Sequence, residues 1–400
     1  MRTGIDMPTL PQPDADALAH SERLRALIQQ QIFASGGAIP FSRFMELCLY
    51  APGLGYYSAG ATKFGAAGDF VTAPELGHLF GACVAEAVAP VLRQLGPDSK
   101  FVELGGGSGA FAEVMLKRLL ALDAMPARYA ILEPSADLRQ RQRERLQEHL
   151  VPPVFDLVEW LDAPPQDPWN GVLFANEVID ALPTPRFVIG DGEVYEEHVA
   201  LDHDGAFVRA DRPADALLTA SVRHLERNLE TTFADGYRSE VLPQLPYWIQ
   251  AVIGRLHSGV LLFVDYGYPR REFYASQRSD GTLRSFYRHA VSNDVFAYPG
   301  LQDLTASVDF TALAEAGTHA SFDFTGYCSQ ASFLIGNGLE TLLAEAEGKV
   351  HDEAARYALR QEAKRLTLPG EMGERFQAMG FARDVEFGTA FLAGDLSWRL

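Results

Sequence analysis

An acidic residue followed by alternating glycines is the pattern in this chain that says most about chemistry. The residues that form it are Glu103, Gly105, Gly107 and Gly109. The acid lies in a short apolar run that predicts a buried strand, and a segment with helical periodicity follows the glycines. Glycine lets a ligand approach the main chain because no Cβ stands in the way, and the N-terminus of a helix favours negative or polar groups. The sequence therefore predicts a small-molecule site between a strand and a helix.

One interpretation is a dinucleotide-binding loop. Gly105, Gly107 and Ala110 match the glycine fingerprint of such a site, which on its own is a weak signal. The fingerprint also requires an acid about 20 residues farther on, and Glu133 lies farther along the chain than that. An NAD-dependent oxidoreductase therefore stays open as an alternative.

A second interpretation is the nucleophile elbow of a hydrolase. Gly106, Ser108 and Ala110 resemble that turn, and Asp265 and His289 follow in the order of a catalytic triad. The last glycine of the elbow is missing, however, and the serine follows the first predicted strand of the sheet. Both features argue against a hydrolase.

The third interpretation is a site for S-adenosylmethionine (SAM), whose pattern in Rossmann-like methyltransferases is an acid in a strand before alternating glycines. SAM has no pyrophosphate, so the loop approaches an amino-acid moiety, and Glu103 is placed to orient its ammonium group. Glu133, at the end of the next predicted strand, is placed to accept hydrogen bonds from both ribose hydroxyls. A glycine turn with no ligand is the simplest alternative.

Alternating strands and helices must position this loop. The predicted strands are 101–104, 128–132, 154–158, 171–175, 260–264 and 384–392, and the predicted helices are 16–34, 76–95, 110–121, 136–147, 214–230, 244–257 and most of 327–365. Such alternation favours a parallel sheet with helices on both faces. Three strand-like segments joined by Asp-Gly turns predict an antiparallel meander inserted into this fold, at 186–189, 194–201 and 206–209.

Composition narrows the classes of function. The chain has 400 residues and a formal net charge of −19, which argues against a nucleic-acid partner because phosphate binding needs a basic surface. Its three cysteines lack the spacing of a zinc site or a disulfide framework. His198 and His203, five apart on a predicted strand, point to opposite faces, so no metal is expected. With no signal-peptide pattern and no apolar run long enough to cross a bilayer, we expect a cytoplasmic protein without membrane insertion.

The chain resembles the MidA-like methyltransferases in segments spread from about residue 44 to 376. The matching segments are 50–57 (YAPGLGYY), 68–75 (GDFVTAPE), 176–183 (NEVIDALP), 264–267 (VDYG), 281–284 (GTLR), 299–310 (PGLQDLTASVDF) and 372–376 (MGERF). Mitochondrial members of that family are respiratory complex I assembly factors with protein-arginine methyltransferase activity. The first 40 residues carry no resemblance, and Ala73 stands where the family often has a threonine or serine before its helix.

The resemblance implies a set of cofactor-binding residues. They are Asp69, Thr72, Pro74, Glu103, Gly105, Gly107, Gly109, Glu133 and Asn176. Residues 68–75 match the segment that, in this family, is expected to close over the cofactor, although a structural turn is an alternative for so glycine-rich a stretch.

Four residues at the ends of two predicted strands are the candidates for catalysis. Glu177 and Asp180 follow the fourth strand, at the edge where open α/β sheets bind ligands, and Asp265 and Tyr266 end the fifth strand at the same edge. If the segment after the fourth strand turns helical at once, its two acids share a face. They could then hold a guanidinium and ease its loss of a proton. Acids that only favour a helix start are the alternative.

Together these patterns predict an α/β protein with a Rossmann-like class I SAM-dependent methyltransferase core over residues 96–400. Insertions are expected at about 184–258 and 267–375, and residues 1–95 form a helical N-terminal cap that contributes to the cofactor site. The resemblance implies methylation of arginine on a protein, with a respiratory complex I subunit or its assembly partner as the target. A SAM-binding assembly factor without turnover is the alternative from another class. The methylated protein, the extent of methylation and the oligomeric state stay open.

Overall fold

The computed structural model describes residues 10–58 and 72–400. Their helices are α1 (Ala15–Ala34), α2 (Phe41–Tyr50), α3 (Ala73–Leu76), α4 (Leu79–Leu95), α5 (Ala110–Ala121), α6 (Ala136–His149), α7 (Pro152–Phe155), α8 (Ala216–Leu229), α9 (Leu245–Ile253), α10 (Arg270–Phe273), α11 (Phe310–His319), α12 (Gln330–Gly336), α13 (Leu339–Lys349) and α14 (Glu353–Thr367). Their strands are β1 (Ala38–Pro40), β2 (Lys100–Leu104), β3 (Arg128–Leu132), β4 (Val158–Leu161), β5 (Trp169–Asn176), β6 (Arg186–Gly190), β7 (Glu193–Leu201), β8 (Phe207–Pro213), β9 (Arg238–Glu240), β10 (Leu256–Tyr268), β11 (Arg284–Tyr287), β12 (Ala290–Ser292), β13 (Asp303–Thr305), β14 (Val308–Asp309), β15 (Asp323–Ser329) and β16 (Phe376–Arg383).

A mixed sheet organises the unit that consists of the described part of residues 71–179, 244–269 and 308–400. Its strand order is β15-β16-β10-β5-β2-β3-β4, with β14 beside β10. Strands β4, β3, β2, β5 and β10 run parallel, whereas β16 is antiparallel to both of its neighbours. The predicted α/β class with a parallel Rossmann-like core is confirmed.

Aromatic packing fixes the helix that follows the glycine loop. The ring of Phe111 on α5 stacks on Phe174 of β5, with centroids 4.4 Å apart, and Phe101 of β2 packs beside both. All three side chains are buried, which is the pattern expected of parallel strands that are covered by helices. The position of the loop between β2 and α5 is therefore set by the core.

The other unit consists of the described part of residues 1–70, 180–243 and 270–307. One sheet has the order β1-β7-β6-β9, with β8 beside β7, and a smaller sheet has the order β12-β11-β13. Strands β6, β7 and β8 pair antiparallel, which confirms the predicted meander. Buried side chains of α1 and α2, among them Leu24, Ile28 and Phe44, form the core of this unit.

Three predicted elements are wrong, each for a local reason. The segment predicted as a strand at 154–158 is largely α7, because Pro152 and Pro153 favour the first turn of a helix. The predicted helix at 244–257 ends at Gly254, whose φ of +53° stops α9 before β10 begins. The last strand lies before residues 384–392 rather than on them, since Asp384 has a φ of +58° and ends β16.

Within the two described ranges, no helix combines the length and the apolar character needed to cross a membrane. The boundary at residue 95 and the two insertion boundaries stay predictions.

Candidate functional site

The glycine loop lies at the point in the sheet where the order of the strands reverses. From β2 the chain proceeds through β3 to β4 on one side, and then through β5 to β10 on the other. The crevice outside the carboxyl ends of the two central strands is the place where open α/β sheets bind ligands. The loop follows β2 at that point, and Asn176 ends β5 beside it, because β2 and β5 are paired.

The backbone of the loop requires glycine. Gly105, Gly107 and Gly109 have φ values of +66°, +51° and +82°. Residues that carry a Cβ rarely adopt this left-handed region. A Cβ built on Gly107 meets no atom of the described residues within 4 Å. At Gly107 the loop therefore presents bare main chain to an open space, as a bound ligand requires.

Glu133 lies just after β3 with its carboxylate fixed in place. The residue is 4% exposed. Its Oε1 accepts a hydrogen bond from the backbone amide of Ser135 at 3.0 Å, and its Oε2 accepts one from the side-chain Nε2 of Gln142 at 3.4 Å. A carboxylate that is held in this way is pre-organised to accept hydrogen bonds from vicinal hydroxyls.

Gln142 is a site residue that the sequence interpretation missed. Its Nε2 also donates to the carbonyl oxygen of Gly107 at 2.9 Å, and its Oε1 accepts from Trp160 Nε1 at 2.9 Å. One side chain thus links the glycine loop to Glu133. A signal was present, because Leu138, Gln142 and Leu146 are spaced by four residues and form the buried face of α6.

Replacing Gln142 by leucine is expected to weaken the binding of S-adenosyl-homocysteine about tenfold, since the loop carbonyl and the Trp160 nitrogen lose their partner. Isothermal titration calorimetry measures this. The matched control is Gln140→Leu, on the exposed side of the same helix, which should bind like the wild type. Equal affinity of both variants would show that Gln142 does not support the loop.

Glu103 is buried within the sheet beside the loop. It is 3% exposed, and its Oε2 accepts a hydrogen bond from the hydroxyl of Tyr129 at 2.8 Å. Burial raises the pKa of Glu103 from 4.5 to about 8; the Tyr129 hydrogen bond opposes this rise, and the nearby Glu133 carboxylate adds to it. A cationic group beside Glu103 would favour its ionised form.

This raised pKa predicts a pH-dependent stability. Since the folded protein binds the proton more tightly than the unfolded chain, the contribution of Glu103 to stability is present below pH 4.5 and is lost as the pH rises through 8. Glu103→Gln imitates the protonated form, so its stability relative to wild type should increase by about 4 kcal/mol between pH 5 and pH 9. Thermal unfolding at the two pH values measures this; a constant difference would contradict the assignment.

The short helix α3 contacts the glycine loop. The Ser108 hydroxyl donates to Oε1 of Glu75 on this helix, and it makes no hydrogen bond to a histidine in the part of the chain that the structure describes. Thr72 precedes α3 and is 9% exposed, and its side chain makes no capping hydrogen bond; Pro74 lies in the first turn. Asp69 lies outside the described residues.

The turn after β5 is hydrogen-bonded to strand β10, which continues through Asp265 and Tyr266 to Tyr268. Asn176 Nδ2 donates to Glu177 Oε1 at 3.2 Å, and the Glu177 amide donates to the carbonyl of Val264 at 3.0 Å. The Oδ1 of Asn176 is buried and has no hydrogen-bond partner within the described ranges. A buried acceptor without a partner, at the carboxyl end of a central strand, is suited to a ligand that supplies a hydrogen-bond donor.

Asp265 is held by backbone amides. Its Oδ1 accepts from the Tyr266 amide at 2.8 Å, and its Oδ2 accepts from the Ile179 amide at 3.1 Å. The carboxylate thereby fixes the chain that follows β5. The ring of Tyr266 packs edge-on against Phe376 at 5.5 Å.

The helical turn expected after β5 is absent, and the argument that Glu177 and Asp180 share a helix face is wrong. Residues 177–180 form bends and a turn, and Glu177 has a φ of +52° that no α-helix contains. The two acids also belong to different units, because the division falls between Ile179 and Asp180.

Comparison with known proteins gives consistent matches. A family model for S-adenosyl-L-methionine-dependent methyltransferases, Methyltransf_28, matches residues 83–328. The protein arginine methyltransferase NDUFAF7 homolog of Drosophila melanogaster is 29% identical over 92% of this chain and 87% of its own length, and human NDUFAF7 is 28% identical over 86% and 79%. A COG1565 superfamily member from Burkholderia thailandensis, solved with S-adenosyl-homocysteine bound, is 41% identical, with a TM-score of 0.90 over 98% of this chain and 100% of that one.

These relatives correct one expectation from the sequence. The predicted cytoplasmic location is wrong by this comparison, because the curated relatives from fly, mouse and human are all mitochondrial proteins.

Proposed function

Because the chain belongs to the Methyltransf_28 family of S-adenosyl-L-methionine-dependent methyltransferases, we propose that it transfers the methyl group to an arginine side chain of a protein. The family assignment establishes the class I methyltransferase fold and SAM as the cofactor, as the sequence resemblance implied. It also decides against the dinucleotide-binding and hydrolase interpretations.

The residues of the site fit this cofactor. We assign the bare main chain of 105–109 to its amino-acid moiety and the Glu133 carboxylate to its ribose, with Asn176, Thr72 and Pro74 around it. When bound, SAM supplies an electrophilic methyl group on a sulfonium. Catalysis of such a transfer consists mainly of holding two reactants in line and excluding water.

The chain must also supply a base or a charge partner for the guanidinium, which gives up a proton when one nitrogen is methylated. We assign this role to Glu177, whose strained backbone and hydrogen bond to Asn176 fix its carboxylate at the end of β5. Asp265 positions that turn through the Ile179 amide, and we assign Tyr266 to the wall of the substrate site.

The observation that carries the arginine assignment is similarity across nearly the whole chain to proteins named protein arginine methyltransferases. Respiratory complex I subunits are the substrates that the sequence resemblance implies, and we extend the proposal to them as candidate targets.

The test uses the purified protein, isotopically labelled SAM and proteins from cells that lack this chain. Amino-acid analysis of the hydrolysed products is expected to show label in methylarginine. Label in another residue would overturn the arginine assignment. Thermal protection by S-adenosyl-homocysteine without any transfer would support the alternative, a cofactor-binding assembly factor.

A further inference from the structure

A buried carboxylate of α14 lies at the N-terminus of α4. Glu362 is 6% exposed, and its Oε1 accepts a hydrogen bond from the backbone amide of Leu79, the first residue of α4, at 2.6 Å. His78, which precedes this helix, makes no side-chain capping hydrogen bond in the part of the chain that the structure describes. The first amides of a helix need acceptors and favour negative charge. Glu362 therefore supplies the cap that the local sequence of α4 lacks.

Electrostatics agree with this contact. Burial raises the pKa of Glu362 from 4.5 to about 7, and backbone hydrogen bonds from Leu79 and His78 oppose the rise. A carboxyl group is seldom buried unless it has such partners. The cost of burying this one is therefore offset in part at the end of α4.

The main chain between α3 and α4 lies directly against the same carboxylate. A Cβ built on Gly77 would overlap the carboxyl group of Glu362, so this close approach requires glycine. Only Gly77 and His78 separate the two helices. Glu362 therefore holds the link that joins the short helix α3 to α4.

Helix α3 connects this link to the glycine loop. Glu75 on α3 accepts the hydrogen bond of the Ser108 hydroxyl, and Ser108 lies between two glycines of the loop. Ala73, the first residue of α3, is fully buried in the hydrophobic core of this unit. A continuous set of contacts thus joins Glu362 to the main chain that we assign to the cofactor.

The neighbouring helix α13 also contacts the helices on either side of the loop. Arg118 of α5 donates to Glu345 of α13 at 3.1 Å and pairs with Glu86 of α4. These side chains are partly exposed, and exposed ion pairs contribute little. The buried carboxylate of Glu362 is therefore the stronger of the two connections from α13 and α14 to the cofactor loop.

We propose that Glu362 is a positioning residue for the cofactor, which holds α3 and the Ser108 side of the glycine loop in the geometry that binds SAM. The inference rests on the cofactor site assigned under the proposed function and adds to it a residue that is far from the loop in sequence. All of these contacts lie within the unit that contains the mixed sheet.

The test measures the binding of S-adenosyl-homocysteine to the purified protein by isothermal titration calorimetry. We expect Glu362→Ala to weaken binding about tenfold at unchanged stoichiometry, because a loop that keeps its binding geometry in about one molecule in ten lowers the apparent affinity by that factor. Gly77→Ala forces the main chain away from the carboxylate and should weaken binding by a similar factor. Glu362→Gln keeps an oxygen that accepts from the Leu79 amide and should bind within about threefold of wild type.

The matched control is Asp352→Ala. Asp352 caps the start of α14 by accepting from the amides of Ala354 and Ala355, about 15 Å along the helix from Glu362. Its loss also removes a helix cap, so the melting temperature should fall while the affinity stays that of the wild type. A purely structural role of Glu362 would give the same result, with a lower melting temperature and stoichiometry at an unchanged Kd.

Wild-type affinity in Glu362→Ala and Gly77→Ala would overturn the inference, and so would an equal loss of affinity in Asp352→Ala. If Glu362→Ala does not fold, Gly77→Ala decides alone. Failure of the cofactor site itself would appear instead as wild-type affinity in Gly107→Val. Methyl transfer to a residue other than arginine would overturn the proposed function and leave all of these affinities unchanged.

Discussion

Replacing Glu133 by glutamine is expected to weaken S-adenosyl-homocysteine binding ten- to a hundredfold without unfolding the protein. The carboxylate accepts from the Ser135 amide and from the Gln142 side chain, and we propose that it also accepts from the two ribose hydroxyls. Glutamine keeps one acceptor oxygen, but its NH2 group replaces the second oxygen and would face hydrogen-bond donors that it cannot accept from. Losing a hydrogen bond to a charged group costs about 1.5–3 kcal/mol, which corresponds to this range of affinity. Calorimetry with the purified variant measures the loss.

The control for this prediction is Glu148→Gln, an exposed acid on α6 in the same unit. It changes the net charge by the same amount as Glu133→Gln. If both variants bound the nucleoside equally well, Glu133 would be a structural acid, and the ribose would have to be placed elsewhere.

Replacing Gly107 by valine is expected to abolish detectable binding of S-adenosyl-homocysteine. The added side chain would occupy the open space in front of the loop, where a Cβ meets no described atom within 4 Å, and this space is where we place the amino-acid moiety. The φ of +51° adds backbone strain of about 1–3 kcal/mol. Calorimetry and thermal protection by the nucleoside both report the loss.

The variant Gly96→Val separates backbone strain from the occupation of the ligand space. Gly96 follows α4 with a φ of +81°, and a Cβ there also meets no described atom within 4 Å. The variant carries similar backbone strain away from the glycine loop in sequence, so its melting temperature should fall while its affinity remains that of the wild type. Wild-type affinity in Gly107→Val would mean that the loop does not hold the cofactor.

Features that depend on neighbouring residues in sequence could be predicted. The loop at 105–109 and the acid at the end of β3 lie within strand–loop–helix segments, whose apolar pattern identifies their elements directly. The meander was equally accessible, since Asp-Gly turns specify tight hairpins at two points. These segments carry most of the cofactor site that we assign.

Features that depend on packing between distant segments could not be predicted from the sequence. The spacing of Gln142 with Leu138 and Leu146 indicates that it is buried, but only the packing of α6 brings it against Gly107 and Glu133. The paired acids after β5 were predicted on one helix face, but the left-handed backbone at Glu177 and the amides that bind Asp265 set that turn instead.

A crystal structure of this protein grown with S-adenosyl-homocysteine tests the central claim most directly. We expect both ribose hydroxyls within about 3 Å of the Glu133 carboxylate, with the amino-acid end of the nucleoside against the main chain of 105–109. A nucleoside bound elsewhere, with no ribose hydroxyl hydrogen-bonded to Glu133, would contradict the account.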